Sequence, residues 1–170
     1  TGISKLTADD FEYAKILKSK IKLLGICKKV KNGTGAEIYV SPVIVPLTNT
    51  ISSTNGATNI VEVRSKYLGT TYYVGAGAGR FPTATSIVGD MLEISLDKSP
   101  KPFPLKQNLT QQTDYPGRFY IRINIRDATG IIRTVGGICE NEGVSIHSVL
   151  QIPITDKQNV PFVITTDETL

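Results

Sequence analysis

Thr71-Tyr-Tyr-Val-Gly75-Ala-Gly77-Ala-Gly79-Arg-Phe-Pro82-Thr-Ala-Thr-Ser-Ile-Val-Gly-Asp90 carries an aromatic, β-branched run into three glycines spaced two apart, then into an apolar-periodic segment. The order reads as strand, glycine turn, helix. Glycine admits φ > 0 and lets a ligand or another backbone come close. Proline is favoured at the first helical position, which suits Pro82. Amides at such a helix start are free to bind an anion or a cofactor amide. The pattern is not the dinucleotide fingerprint Gly-x-Gly-x-x-Gly. Arg80 stands at the third glycine, no β-α-β unit surrounds it, and the only acidic residue near the required offset, Glu93, falls inside the predicted helix. On the residues alone, a tight strand-to-helix connection without a ligand outweighs a binding turn.

Upstream, Thr7-x-x-Asp10 has the form of a capping box with Asp in place of Glu, and Phe11, Ala14 and Leu17 share a face, predicting a helix near 8–18. Asp9, Asp10 and Glu12 lie in or beside its first turn, where they complement the helix dipole better than they suit acid–base chemistry. Lys20–Val30 and Glu37–Val45 read as strands joined at Asn32-Gly33, with Pro42 marking an edge or a bulge. Residues 46–53 are a connection with a short helical turn. Asn59–Ser65 and Thr71–Val74 pair across a turn at Gly69; Tyr72 and Tyr73 point to opposite faces, one of them toward a core. The helix after the glycine turn, about Pro82–Leu96, carries Ile87, Met91 and Ile94 on one stripe beside Val88 and Leu92.

Taken jointly, Ile21-Lys-Leu-Leu-Gly25-Ile, Asn55-Gly-Ala-Thr-Asn59-Ile-Val-Glu-Val and the run Val74–Asp90 resemble the C-terminal half of homoserine dehydrogenases. Gly2-Ile with Thr7-x-x-Asp10 fits as well. The resemblance covers about residues 1–97. It implies NAD(P)-dependent interconversion of aspartate semialdehyde and homoserine, in threonine and methionine biosynthesis, by a homodimeric enzyme. It also implies that Gly79 contacts the cofactor, while Gly75 and Gly77 shape the turn. In the family the nucleotide-binding Rossmann domain, the catalytic lysine and the acidic residues that bind homoserine precede this segment, so no catalytic residue is assigned here. The chain opens on Thr1-Gly2 without methionine and stops at Leu170 where a further helix is expected, so it reads as a piece of a longer protein, inactive by itself. Arg80 could clamp a phosphate; a solvated turn residue is the better reading.

Beyond the helix, Pro100, Pro102, Pro104 and Pro116 fall among Lys, Gln, Asn and Thr, and residues 98–117 read as an extended linker. Arg118–Arg126 alternates cleanly, with Phe119, Ile121, Ile123 and Ile125 on one face. Asp127-Ala-Thr-Gly130 is a turn. Ile131, Val135, Ile138 and Cys139 mark a helix stopped by Gly143. Val144–Ile152 and Val160–Thr166 are strands joined by a polar loop, Thr155–Asn159. This β-α-β-β order resembles the start of an ACT domain, through Tyr120-Ile-Arg-Ile, Asp127-x-x-Gly130-Ile, Asn141-Glu-Gly143-Val-Ser-Ile146 and Pro161-Phe-Val-Ile-Thr165-Thr. Thr129 stands where the family has proline. The resemblance implies an amino-acid effector, threonine first, at Asp127 and Gly130. The fold class is therefore α+β: a mixed or antiparallel sheet with helices over 1–97, linked to a ferredoxin-like, ACT-type unit over 118–170. A non-catalytic amino-acid-sensing assembly module is the alternative.

At 170 residues the chain suffices for one domain or two small ones. Its 40% apolar and 20% charged residues are ordinary for a soluble globular protein, and no apolar run approaches a membrane span. The net charge of +4 concentrates in lysines between Lys15 and Lys31. Without interleaved stacking aromatics these form a solvated face, so no nucleic-acid partner is expected. Cys27 and Cys139 sit in apolar settings and read as buried thiols of a reducing, cytoplasmic compartment. His147 with two scattered cysteines cannot build a zinc site, and no metal is expected.

Overall fold

The computed structural model describes residues 2–30, 35–97, 110–114, 116–153 and 158–169. They form two compact units, one of residues up to 46 together with those from 110 onward, the other of residues 47–97. The Asn32-Gly33 turn, most of the 98–117 linker and most of the 155–159 loop lie outside the described residues.

In the first unit, α1 (Ala8–Ile16) starts at the box predicted from sequence: Asp10 accepts the Thr7 N–H at 2.8 Å. The helix ends before Lys18, which turns the chain with φ 49°. β1 (Ser19–Lys29) and β2 (Gly35–Pro46) pair antiparallel in unbroken register from Ser19↔Pro46 to Lys29↔Ala36. Pro42 pairs with Leu23 with no bulge. β2's other side carries only β5 (Thr110–Gln112), parallel to residues 35–37, so Pro42 sits at an open edge among the described residues. Thr110–Gln112 corrects the linker reading, since those residues are a strand.

β6 (Tyr120–Ile125), α3 (Ile131–Asn141), β7 (Ile146–Gln151) and β8 (Val160–Thr166) follow in the predicted β-α-β-β order. The antiparallel sheet runs β6-β8-β7, with β8 central. Its two faces divide by residue parity. Phe162 and Ile164 of β8 form a core with Cys139 of α3, against which Ile123, Ile125, Ile131 and Val135 pack. The opposite face is covered by α1, whose Tyr13 is fully buried and donates its hydroxyl to the Pro161 carbonyl at 2.6 Å. Val163, on that second face, is fully buried too. The β-α-β-β unit is thus not self-contained in its packing; the opening helix supplies half of its cover.

In the second unit, a 3-10 turn at Thr50–Ser53 leads to the hairpin of β3 (Thr58–Ser65) and β4 (Gly69–Ala76), then to α2 (Arg80–Ser95). The turns at Gly56 and Gly69 have φ of 58° and 75°, a left-handed region that glycine adopts at no steric cost. Two expectations, for Tyr72 and Tyr73 and for Pro82, are not met in this unit. Neither Tyr72 nor Tyr73 is core, at 37% and 62% exposure, because among the described residues this two-stranded ribbon has no second layer over either face. The α2 stripe of Ile87, Met91 and Ile94 is exposed and the helix buries no residue. Pro82 takes the third helical position, not the first; its missing N–H costs nothing there either, since the first turn has no intrahelical acceptors. In the first unit Cys27 is exposed, not buried, because its apolar neighbours on β1 do not receive a covering layer, while Cys139 is buried as expected and both are free thiols.

Candidate functional site

The strand-to-helix connection Gly75–Arg80 is built with three glycines for three different reasons. Gly75 pairs opposite Asn59, one residue before the pairing ends at Ala76, and a Cβ added there would meet nothing within 4 Å. Gly77 donates its N–H to the Ala57 carbonyl at 2.7 Å, extending the hairpin by one bond. A Cβ on Gly77 would fall 2.0 Å from Asn59 Nδ2 and 2.2 Å from its Cγ, so the Asn59 carboxamide already fills that space. Gly79 is the N-cap of α2 with φ 117° and ψ 152°, a conformation essentially reserved for glycine. Its carbonyl accepts both the Thr83 N–H at 3.1 Å and the Thr83 hydroxyl at 2.8 Å, which anchors the first turn. The only atoms a Gly79 Cβ would approach belong to Pro82, the nearest at 3.5 Å, so space is not what demands glycine there. The backbone at Gly75 and Gly79 is thus open to close approach. Arg80 does not reach across it: its guanidinium stacks on the Phe81 ring, 4.5 Å from the centroid.

In the first unit, Gly130 caps α3 in the left-handed conformation, φ 89°, and its carbonyl accepts the Thr134 N–H at 3.0 Å. Asp127 and Gly130, paired on sequence grounds, do lie together. With Ala128, Ile131, Arg133 and Gln151 they line a cavity of about 240 Å³. A larger cleft of about 690 Å³ lies elsewhere in this unit, between β1–β2 residues such as Tyr39 and Ser41 and the β6–β8 residues Phe119, Tyr120 and Thr165. No site residue read from the sequence lines it.

Asp10 was read as a helix-start charge, but it is 2% exposed and pairs with Arg122. Its Oδ1 accepts from Arg122 Nε at 2.7 Å and the Tyr120 hydroxyl at 2.8 Å, and its Oδ2 from Arg122 Nη2 at 3.2 Å. Burial alone would raise the Asp10 carboxyl; hydrogen bonds from Arg122, the Thr7 N–H and Tyr120 outweigh it and hold the group below its ordinary value. Burial, then the bond to Asp10, pushes the Tyr120 phenol up, and the bond to Asp10 raises Arg122 further. This cluster is structural: every acceptor position on Asp10 is engaged inside the protein. On the surface, Asp167 accepts from Ser145 at 2.8 Å and meets His147 Nδ1 at 3.2 Å, and both contacts lower its carboxyl. Among the described residues no three His, Cys, Asp or Glu side chains gather to hold a metal ion.

Residues 1–92, which include the whole glycine turn and α2 as far as Leu92, match the family model described as homoserine dehydrogenase. The chain belongs to the homoserine dehydrogenase family. It is similar to the homoserine dehydrogenase of Pseudomonas aeruginosa, 33% identical over 178 residues, covering 97% of this chain and 41% of that protein. The Neisseria gonorrhoeae homoserine dehydrogenase is 31% identical over 181 residues, with 99% of this chain and 41% of that protein covered. Among solved structures, a homoserine dehydrogenase from Thiobacillus denitrificans superposes with a TM-score of 0.81 at 31% identity, over 99% of this chain and 40% of that one. This homoserine dehydrogenase segment therefore spans about two-fifths of the length of the relatives it matches. The likeness runs through both compact units, including the β-α-β-β part beyond the residues matched by the family model.

Proposed function

We propose that the chain is the C-terminal portion of an NAD(P)-dependent homoserine dehydrogenase, which interconverts homoserine and aspartate semialdehyde, and that Gly79 borders the cofactor. The observation that carries this reading is the coincidence of family likeness with an open backbone at a glycine whose φ of 117° no other residue adopts cheaply. The cofactor accepts or returns the hydride. The residues of this chain bind and orient it, and hold the backbone of the turn where a ring can lie flat. Hydride transfer needs both reactants in near-attack geometry. A segment two-fifths of the relatives' length leaves most of that machinery elsewhere, so the isolated chain is expected to be inactive. The test is Gly79→Val in the whole enzyme, with NADPH absorbance followed in the presence of aspartate semialdehyde. Cofactor affinity should fall with little loss of stability; unchanged affinity and kcat in a stable variant would reduce Gly79 to a turn residue.

The β-α-β-β part is proposed to be an ACT-type regulatory unit. The cavity of about 240 Å³ at Asp127 and Gly130 supports this, since it sets the free amides of a helix start beside Arg133, a combination suited to an amino-acid carboxylate. Threonine is the first candidate. Calorimetry of the whole enzyme with threonine, alongside Asp127→Ala and Gly130→Val, tests the assignment; binding untouched by both changes would place the site elsewhere.

The enzyme is further proposed to be a cytoplasmic homodimer. Free thiols at Cys27 and Cys139 fit a reducing compartment, and no described helix is long and apolar enough to cross a membrane. Exposed apolar side chains on β1–β2, among them Leu23, Ile38 and Val40, fit a surface that meets another subunit. A strict monomer in light scattering at high concentration would count against the dimer.

A further inference from the structure

We infer that Asn59 is a positioning residue of the glycine turn. Its carboxamide lies against Gly77 in the space a Cβ would occupy, with Nδ2, Cγ and Oδ1 at 2.0, 2.2 and 2.6 Å from that position. Gly77 has no left-handed φ, so its own conformation does not require glycine; the Asn59 carboxamide occupies the space a Cβ would take and would have to swing aside to admit one. The two residues are brought together by the hairpin register. Asn59 pairs with Gly75, Thr58 with Ala76, and Gly77 adds one more bond to Ala57. β3 thus begins with a side chain folded onto the very residue where β4 leaves the ribbon for the helix.

The path from Gly77 to Gly79 is only two residues long. A carboxamide seated on Gly77 therefore limits where the Gly79 peptide can go. The hairpin here is a bare two-stranded ribbon whose Asn59 and Gly77 are both exposed, so no core holds the turn in place. Among the described residues the Asn59 carboxamide makes no hydrogen bond, so its contact with the turn is one of shape. Its amide keeps donors and an acceptor for whatever is laid over the glycines. Serine or alanine at 59 would leave the turn free to wander; a larger residue at 77 would drive the carboxamide off.

This inference rests on the proposed cofactor role of Gly79, and the experiment separates the two. Cofactor KM, kcat and thermal midpoint are measured in the whole enzyme for Asn59→Ala, Gly77→Ala, the double variant Asn59→Gly with Gly77→Ala, and Gly79→Val. Asn59→Ala should raise cofactor KM roughly three- to tenfold, the size of one lost neutral contact, with homoserine KM and the midpoint little changed. Gly77→Ala alone should be worse, and the double variant should recover part of that loss, since the new Cβ then has room. A residue that only stabilised the ribbon would lower the midpoint without singling out cofactor KM. If Gly79→Val raises cofactor KM while Asn59→Ala leaves it unchanged, or if the double variant's losses simply add, the inference fails alone. If Gly79→Val also leaves it unchanged, the turn does not serve the cofactor and both readings fall.

Discussion

Replacing Asp10 by Asn tests whether α1 is held to the β6–β8–β7 sheet by charge. Asp10 is 2% exposed and receives four hydrogen bonds at 2.7–3.2 Å from Arg122, Tyr120 and the Thr7 N–H. Removing one partner of a buried pair costs about 3–5 kcal/mol, most of it from stranding the other charge. Arg122 is 17% exposed, so water reaches its edge, and Asn keeps one acceptor oxygen. Both bring the expected loss below that range, to about 2–3 kcal/mol, with up to about 1 kcal/mol more if the bond to the Thr7 N–H weakens. The assay is urea unfolding of the chain at neutral pH followed by circular dichroism, for Asp10→Asn, Arg122→Met and the double variant. The single losses should not add, with a coupling above about 1 kcal/mol. Losses within about 0.5 kcal/mol of wild type, the range of ordinary surface changes, would refute the argument.

The pH dependence gives an independent sign. The Asp10 carboxyl is held below its ordinary 3.8 in the folded protein. Between the folded and unfolded values the unfolded chain binds the extra proton, so stability rises with pH there. The contribution of Asp10 is therefore complete above the unfolded value and is lost as pH falls through the lowered one. The gap between wild type and Asp10→Asn should be constant near neutrality and close in acid; a gap that widens on acidification would overturn the assignment.

Tyr13→Phe should destabilise the chain by about 1–3 kcal/mol, because the buried Pro161 carbonyl and the Ile152 N–H, 2.6 and 3.2 Å from the lost hydroxyl, would both be left unpaired; a loss too small to resolve in the same urea assay would show that water replaces it. Cys27 should react with a thiol reagent in native buffer while Cys139, 9% exposed in the α3 core, waits for unfolding, and equal rates would contradict the burial described for α3.

What was legible in the sequence follows from how local each cause is. The glycine turn, the capping box and the β-α-β-β order rest on φ requirements and on periodicity within a dozen residues, and all three are present where expected. The demands that arise from partners far along the chain were not legible. Asp10 looked like one of three helix-start acids because its counter-ion stands 112 residues away on β6. Locally only the capping box separates it from Asp9, and that accounts for its bond to Thr7 and not for a buried ion pair; the further hint is Arg122, a cation inside a strand of apolar alternation. Exposure was misjudged for a related reason. Cys27, Tyr72 and Tyr73 sit in apolar alternation, but alternation shows only that a face could be covered, not that a layer is there to cover it. Gly77 is the sharpest case. Its place in the turn is legible, yet the group that fills the space of its missing side chain lies on the neighbouring strand, in Asn59. In that arrangement a polar residue that looked like one beat of a strand pattern decides what its cross-strand neighbours can be. The dependence therefore runs both ways: a Cβ at 77 would displace the Asn59 carboxamide, and that carboxamide keeps its present place only while residue 77 lacks a side chain.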